Sequence, residues 1–303
     1  MNNDRIQEIL DLMEEARLDY FLISDPQSIA YCTGYYNDPH ERMFVFMVSK
    51  HGNHTLFMND LFYLEHDLGV NIVWHKDGQD AIQTIVNEMH FPGRIGIDKN
   101  WASHFLLDLM KKLPNAKYIN ASPCVDLVRM KKDLQEQVLM IESSKINDAV
   151  MEEIIPFIQE GVSEKQLAKK LDELFFNHHS TCYGAIVAFG KNAADPHHEN
   201  DDTLLRKGNC VLIDMGCVYK GYCSDMTRTF FYGGIREDEM KVYEIVKKAN
   251  EAAEAMIKPG VKLSDIDKCA RKVISDESYG QYFTHRLGHF IGRDVHEYGD
   301  VSS

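Results

Sequence analysis

The residues best suited to do chemistry in this chain lie between Asp214 and Phe230, which read DMGCVYKGYCSDMTRTF. If Lys220 and Gly221 form a two-residue hairpin turn, Tyr219 faces Tyr222, Asp214 faces Thr227, and Asp225 becomes the diagonal neighbour of Asp214 on one face. A turn one residue longer puts the two carboxylates on opposite faces. Paired carboxylates on a buried sheet face are costly unless a cation or a proton neutralises them, so a hard divalent metal ion is their natural partner. Alone, the spacing fits a solvated or salt-bridged pair better, since structural ion pairs are common.

Two further segments carry histidines. HRLGHFIGRDVHE places His285, His289 and His296 within residues 285–297. In a bulged strand His285 and His289 share a face, and Gly288 and Gly292 permit a shift that brings His296 round. Imidazole is both a metal ligand and a proton shuttle near neutral pH. Asp195, Pro196, His197 and His198 lie in a polar loop before the Asp214 strand.

These groups need a scaffold, and the pattern supplies one in two parts. Up to about residue 120, helical and strand periods alternate. Ile6, Ile9, Leu10 and Met13 sit at helical spacing. Tyr20 to Ile23, Met43 to Ser49, Thr55 to Met58, Asn71 to Trp74, Arg94 to Ile97 and Lys117 to Ile119 read as strands, with helices near 79–90 and 101–112. This is an α/β domain. A charged helical stretch over 128–159 opens the second part. There Ser163 and Gln166 occupy capping-box positions, and Leu167, Leu171, Leu174 and Phe175 form one face. Strands at Ala185 to Phe189, Cys210 to Met215 and Tyr219 to Tyr232 follow, then helices near 236–257 and 264–276. The expected class is α+β, with domains over 1–127 and 128–303.

Composition removes several function classes. The 303 residues carry 47 acidic and 33 basic side chains, a formal charge of −14, which disfavours nucleic-acid and anionic-membrane binding. Seven scattered cysteines without a C-x-x-C pair argue against a disulfide framework or a thiolate zinc site and for a reducing, cytoplasmic setting. The longest apolar run, Met43 to Val48, is far too short to span a bilayer, and the first twenty residues lack a signal-peptide pattern.

Taken together, DMGCVYKGYCSDMTRTF, HRLGHFIGRDVHE and NAADPHH, in this order, resemble the creatinase/prolidase superfamily, the pita-bread metallopeptidases, over roughly residues 130–303. IAYCTGY and the α/β pattern resemble that family's creatinase-type N-terminal domain. The resemblance implies that Asp214 and Asp225 are metal ligands, with Asp225 bridging two ions, and that His289 binds one of them. His197, His285 and His296 match positions that bind substrate or shuttle protons, and Tyr222, Thr227 and Arg228 match supporting positions. The ions would be Mn or Co, with Zn an alternative, holding a hydroxide against the carbonyl of an Xaa-Pro bond.

The implied activity is that of an Xaa-Pro dipeptidase acting on short proline-containing peptides, with aminopeptidase P the close alternative and a homodimer the implied assembly. Two family glutamate ligands from later strands have no counterpart before Ser303. The expectation is therefore three of five ligands and a truncated pita-bread with an open edge. That departure also favours a non-catalytic peptide- or partner-binding protein; a metal-free creatinase-like hydrolase would leave the aspartate pair without a role. Arg293 stands where the family usually has an apolar residue.

Overall fold

The computed structural model describes residues 1–90 and 92–303. The chain forms two compact units, Met1–Lys131 and Lys132–Ser303. In the first, α1 (Asn3–Glu15) leads into β1 (Tyr20–Ile23), α2 (Pro26–Thr33), β2 (Val45–Ser49), β3 (Thr55–Asn59), β4 (Asn71–His75), α3 (Ala81–Glu88), β5 (Arg94–Ile97), α4 (Ser103–Lys112), β6 (Lys117–Asn120) and α5 (Pro123–Met130). Among the described residues one sheet has the order β4-β3-β2-β1-β5-β6. β1, β2 and β3 pair antiparallel, while β4 joins β3, and β5 and β6 extend β1, in parallel.

The strands' apolar runs are continuous because both faces of this sheet are covered. Phe21, Ile23, Phe46 and Val48 face a layer containing Ile6, Ile9 and Met13 of α1 and Val125 and Val128 of α5. Tyr20, Leu22, Val45, Met47 and Phe57 face Ile82 and Ile85 of α3 and Leu109 of α4. α2 stands where the strand pattern predicts no helix. Asp25 caps it through the Ser28 amide, and Pro26 takes the first turn, where a missing N–H costs nothing.

The second unit comprises α6 (Leu134–Ile154), α7 (Glu164–Asn177), β7 (Thr181–Cys182), β8 (Ile186–Phe189), β9 (Cys210–Met215), β10 (Cys217–Tyr219), β11 (Tyr222–Cys223), β12 (Met226–Phe231), α8 (Glu237–Glu254), α9 (Leu263–Asp276), β13 (Gly288–Phe290) and β14 (Glu297–Val301). The helical stretch expected over 128–159 is broken at Lys131 to Asp133, where Asp133 and Glu136 form a reciprocal capping box that starts α6. α6 and α7 pack their apolar faces on one face of a β12-β9-β8 sheet, through Val150, Ile154, Leu167, Leu171 and Phe175 against Val187, Val211, Ile213 and Met215. α8 and α9 bury Ile245, Ala249, Ala270 and Ile274 against each other. No helix among the described residues is long and apolar enough to cross a membrane.

Candidate metal centre and its histidines

β9 alternates half-exposed and buried residues, so with Val211, Ile213 and Met215 in the core, Asp214 must sit on the opposite face. The hairpin closes through Lys220 and Gly221, both with positive φ (49° and 82°), the backbone of the tight turn that keeps register. Tyr219 pairs with Tyr222 and Asp214 with Thr227. Asp225, two residues before Thr227, is therefore the diagonal neighbour of Asp214, as the two-residue turn requires.

The strand expected over 219–232 is interrupted at Ser224 and Asp225, and its partner at Gly216. The cause is steric. Tyr183 donates its hydroxyl to the Ser224 carbonyl at 2.6 Å, passing over Gly216, where a Cβ would collide with both groups. This break turns β10 and β11 into a separate sheet with β7 and frees Asp225 from ladder pairing.

Asp225 meets His289, with Oδ2 and Nε2 3.5 Å apart. Its carboxyl is raised above the ordinary range, first by burial and then by the Asp214 charge, while His289 and His296 oppose the rise. Thr227 Oγ1 donates to Asp214 Oδ1 at 2.8 Å. His289 Nδ1 donates to the Phe290 carbonyl at 3.0 Å, which turns Nε2 toward Asp225 and leaves it as the ring nitrogen placed for a metal ion. Among the described residues neither aspartate has a lysine or arginine ion partner. Two neighbouring carboxylates, one of them 3.5 Å from an imidazole nitrogen and neither with a basic counter-ion among the described residues, are donors of the type a divalent ion takes.

The segment carrying the histidines departs from the expected bulged strand. Only Gly288–Phe290 is extended, and a register shift falls between His289 and Phe290. His285 and His289 thus do not share a strand face. Gly292 lets the chain fold over Glu297, whose carboxylate would lie 2.6 Å from a Cβ there. The turn brings the rings of His289 and His296 within 4.3 Å. His285 instead pairs with His197, their rings 5.7 Å apart and perpendicular. Both of these are exposed. Burial, followed by His289 and Arg286, lowers the pKa of His296, although Asp225 raises it.

The supporting residues divide. Thr227 touches Asp214, but Arg228 bonds the Thr227 carbonyl, and Tyr222 points away, donating its hydroxyl to Glu136 at 2.9 Å. Sequence reasoning missed Tyr183, Glu164 and the buried ion pair of Lys132 with Glu297 (2.8 Å). Glu164, at the first position of a capped helix, carried a signal for a helix-dipole role but none for burial. It is fully buried, and Glu164, His198 and Asp201 bring one ligand atom each within 4.8 Å of one another.

Comparison with known proteins agrees with this architecture. Metallopeptidase family M24 matches residues 138–303, and the creatinase/prolidase N-terminal domain matches residues 5–131. An uncharacterized peptidase of Staphylococcus aureus is 32% identical, covering 99% of this chain and 86% of the relative. A dipeptidase structure from Pyrococcus horikoshii superposes with a TM-score of 0.89 at 34% identity, over 98% of this chain and 85% of that one. The Xaa-Pro dipeptidase of Bacillus anthracis gives a TM-score of 0.90 at 26% identity, over 99% and 84%. The chain belongs to metallopeptidase family M24, with a creatinase-type N-terminal domain preceding the pita-bread peptidase domain.

Proposed function

We propose that the protein is an Xaa-Pro dipeptidase, hydrolysing the bond before proline in short peptides, with Asp214, Asp225 and His289 as ligands of a divalent metal centre. The observation that carries this reading is the contact of Asp225 with His289 beside His296, with Asp214 the cross-strand diagonal neighbour whose charge raises the Asp225 carboxyl and neither aspartate bearing a basic ion partner among the described residues. The similarity to solved dipeptidases supports the substrate class. The ion, proposed as Mn or Co, when bound lowers the pKa of a water and polarises the scissile carbonyl.

The chain's own residues do the rest. Thr227 fixes one oxygen of Asp214, and the Phe290 carbonyl fixes the tautomer of His289. His285 bonds the Arg286 carbonyl through Nδ1 at 2.8 Å, which leaves Nε2 to face a peptide beside His197. His296, held toward its neutral form by burial, is placed to exchange a proton with the departing imide nitrogen, which leaves poorly unless protonated. A homodimer, with an N-terminal domain over residues 1–127 and a peptidase domain over 128–303, completes the proposal.

Mn-dependent hydrolysis of an Xaa-Pro dipeptide, a matched Xaa-Ala dipeptide and an Xaa-Pro-Xaa tripeptide tests it. The first should be cleaved at least tenfold faster than the others. Preference for the tripeptide would move the assignment to aminopeptidase P, and cleavage of none would refute a proline-specific peptidase.

A further inference from the structure

The cluster around Glu164 invites a second metal site, but its hydrogen bonds leave no room for one. Glu164 Oε1 accepts from the Phe189 amide (2.8 Å) and from Asn192 Nδ2 (2.9 Å). Oε2 accepts from His198 Nε2 (2.7 Å) and from the Asp201 amide (3.1 Å). A carboxylate offers about four lone-pair sites, and here four N–H groups take them. His198 Nε2 faces an acceptor and so carries a proton, which removes it as a ligand.

The four donors are not a random set. Phe189 and Asn192 start the 189–201 stretch of the loop between β8 and β9, and His198 and Asp201 close that stretch well before β9 begins at Cys210, so one carboxylate clamps both ends of it. The second half of the clamp is backbone, with the Glu164 and Lys165 amides donating to Thr203 and Asp201 carbonyls at 3.2 Å. Between the ends, the Asp195 carboxylate accepts from the His197 amide at 3.1 Å and its carbonyl accepts from the His198 amide. His198 is then directed inward, its side chain 12% exposed, and His197, next in the chain, is directed outward to His285.

We propose that Glu164 and His198 are positioning residues for His197: the buried carboxylate holds His198 inward, which aims the His197 ring at the peptide site beside His285. The inference rests on the proposed substrate contact of His197, and its two parts are separable by experiment.

The test compares His198→Leu, which loses the donor, with His198→Gln, whose amide nitrogen reaches the same carboxylate oxygen. His198→Leu should lower kcat/KM for an Xaa-Pro dipeptide at least tenfold, and His198→Gln should recover most of that loss. His197→Ala combined with His198→Leu should be no worse than His197→Ala within twofold, because both changes remove one function. Glu164→Gln provides a second route to the same loss if the leucine variant folds poorly.

Additive losses, or His198→Leu within twofold of the wild type, would overturn the proposal. So would loss of one bound Mn ion from His198→Leu, which would make the cluster a metal site. Should the wild type cleave no Xaa-Pro peptide, the functional reading fails, and amide exchange decides the anchor independently. His198→Leu must then speed exchange over residues 189–201 and leave β9 and β12 unchanged, and unchanged exchange in the loop refutes it.

Discussion

Replacing Lys132 by Met should destabilise the second unit far more than a surface charge deletion would. Lys132 Nζ lies 2.8 Å from Glu297 Oε2, and the two side chains are only 11% and 5% exposed. Glu297 Oε1 also accepts the Arg293 amide at 2.9 Å, which holds the turn that brings His296 to His289. Removing one partner of a buried, hydrogen-bonded ion pair costs about 3–5 kcal/mol. For a unit of this size that is a fall in melting temperature of roughly 10 °C.

The assay can separate the two units. Both tryptophans, Trp74 and Trp101, lie in the first unit, so their fluorescence in urea should not shift, while amide exchange in α6 and β14 should accelerate. Adding Glu297→Gln removes the second buried charge and keeps an acceptor for the amides, so the double variant should regain about half the loss or more. A loss below about 1 kcal/mol, the range of exposed pairs, or no recovery in the double variant, would refute this account of the buried pair.

Other outcomes follow from local geometry. Gly216→Ala should drive Tyr183 off the Ser224 carbonyl and displace Asp225, and Mn content measured by mass spectrometry should fall. Gly96→Ala puts a Cβ 2.5 Å from that of Ala121; such overpacking costs about 1–3 kcal/mol, to be read as an earlier urea midpoint in tryptophan fluorescence. His54 accepts the Ser49 amide at Nδ1 (3.2 Å), and burial lowers its pKa. The unfolded chain then takes up the proton first, so stability present above the ordinary histidine pKa of about 6.5 is lost as pH falls below it. His54→Asn should flatten that dependence in thermal melts followed between pH 5 and 8.

What the sequence revealed depends on how local each determinant is. The Asp214 and Asp225 pairing was legible because Lys220 and Gly221 leave few turn options, and strand parity then carries both carboxylates to one face. The strands of the first unit were legible from their apolar runs, whereas α2 was not, although Asp25 and Pro26 mark its start. His285, His289 and His296 were legible as a group but not as two pairs. Their division depends on Glu297 filling the space under Gly292 and on Lys132, 165 residues away in sequence. Glu164 was hidden for the same reason, since its burial is created by a loop that returns over the start of α7 and has no periodic signature.

The central claim is that Asp214, Asp225 and His289 form the metal centre of a proline-specific peptidase. Calorimetric titration of Mn into the wild type and Asp225→Asn, with Xaa-Pro hydrolysis measured on the same samples, tests it most directly. The claim predicts that the variant loses at least one ion's affinity by about 100-fold or more, beyond what outer-shell changes produce, and loses hydrolysis with it. Equal Mn stoichiometry and affinity in both proteins would contradict it.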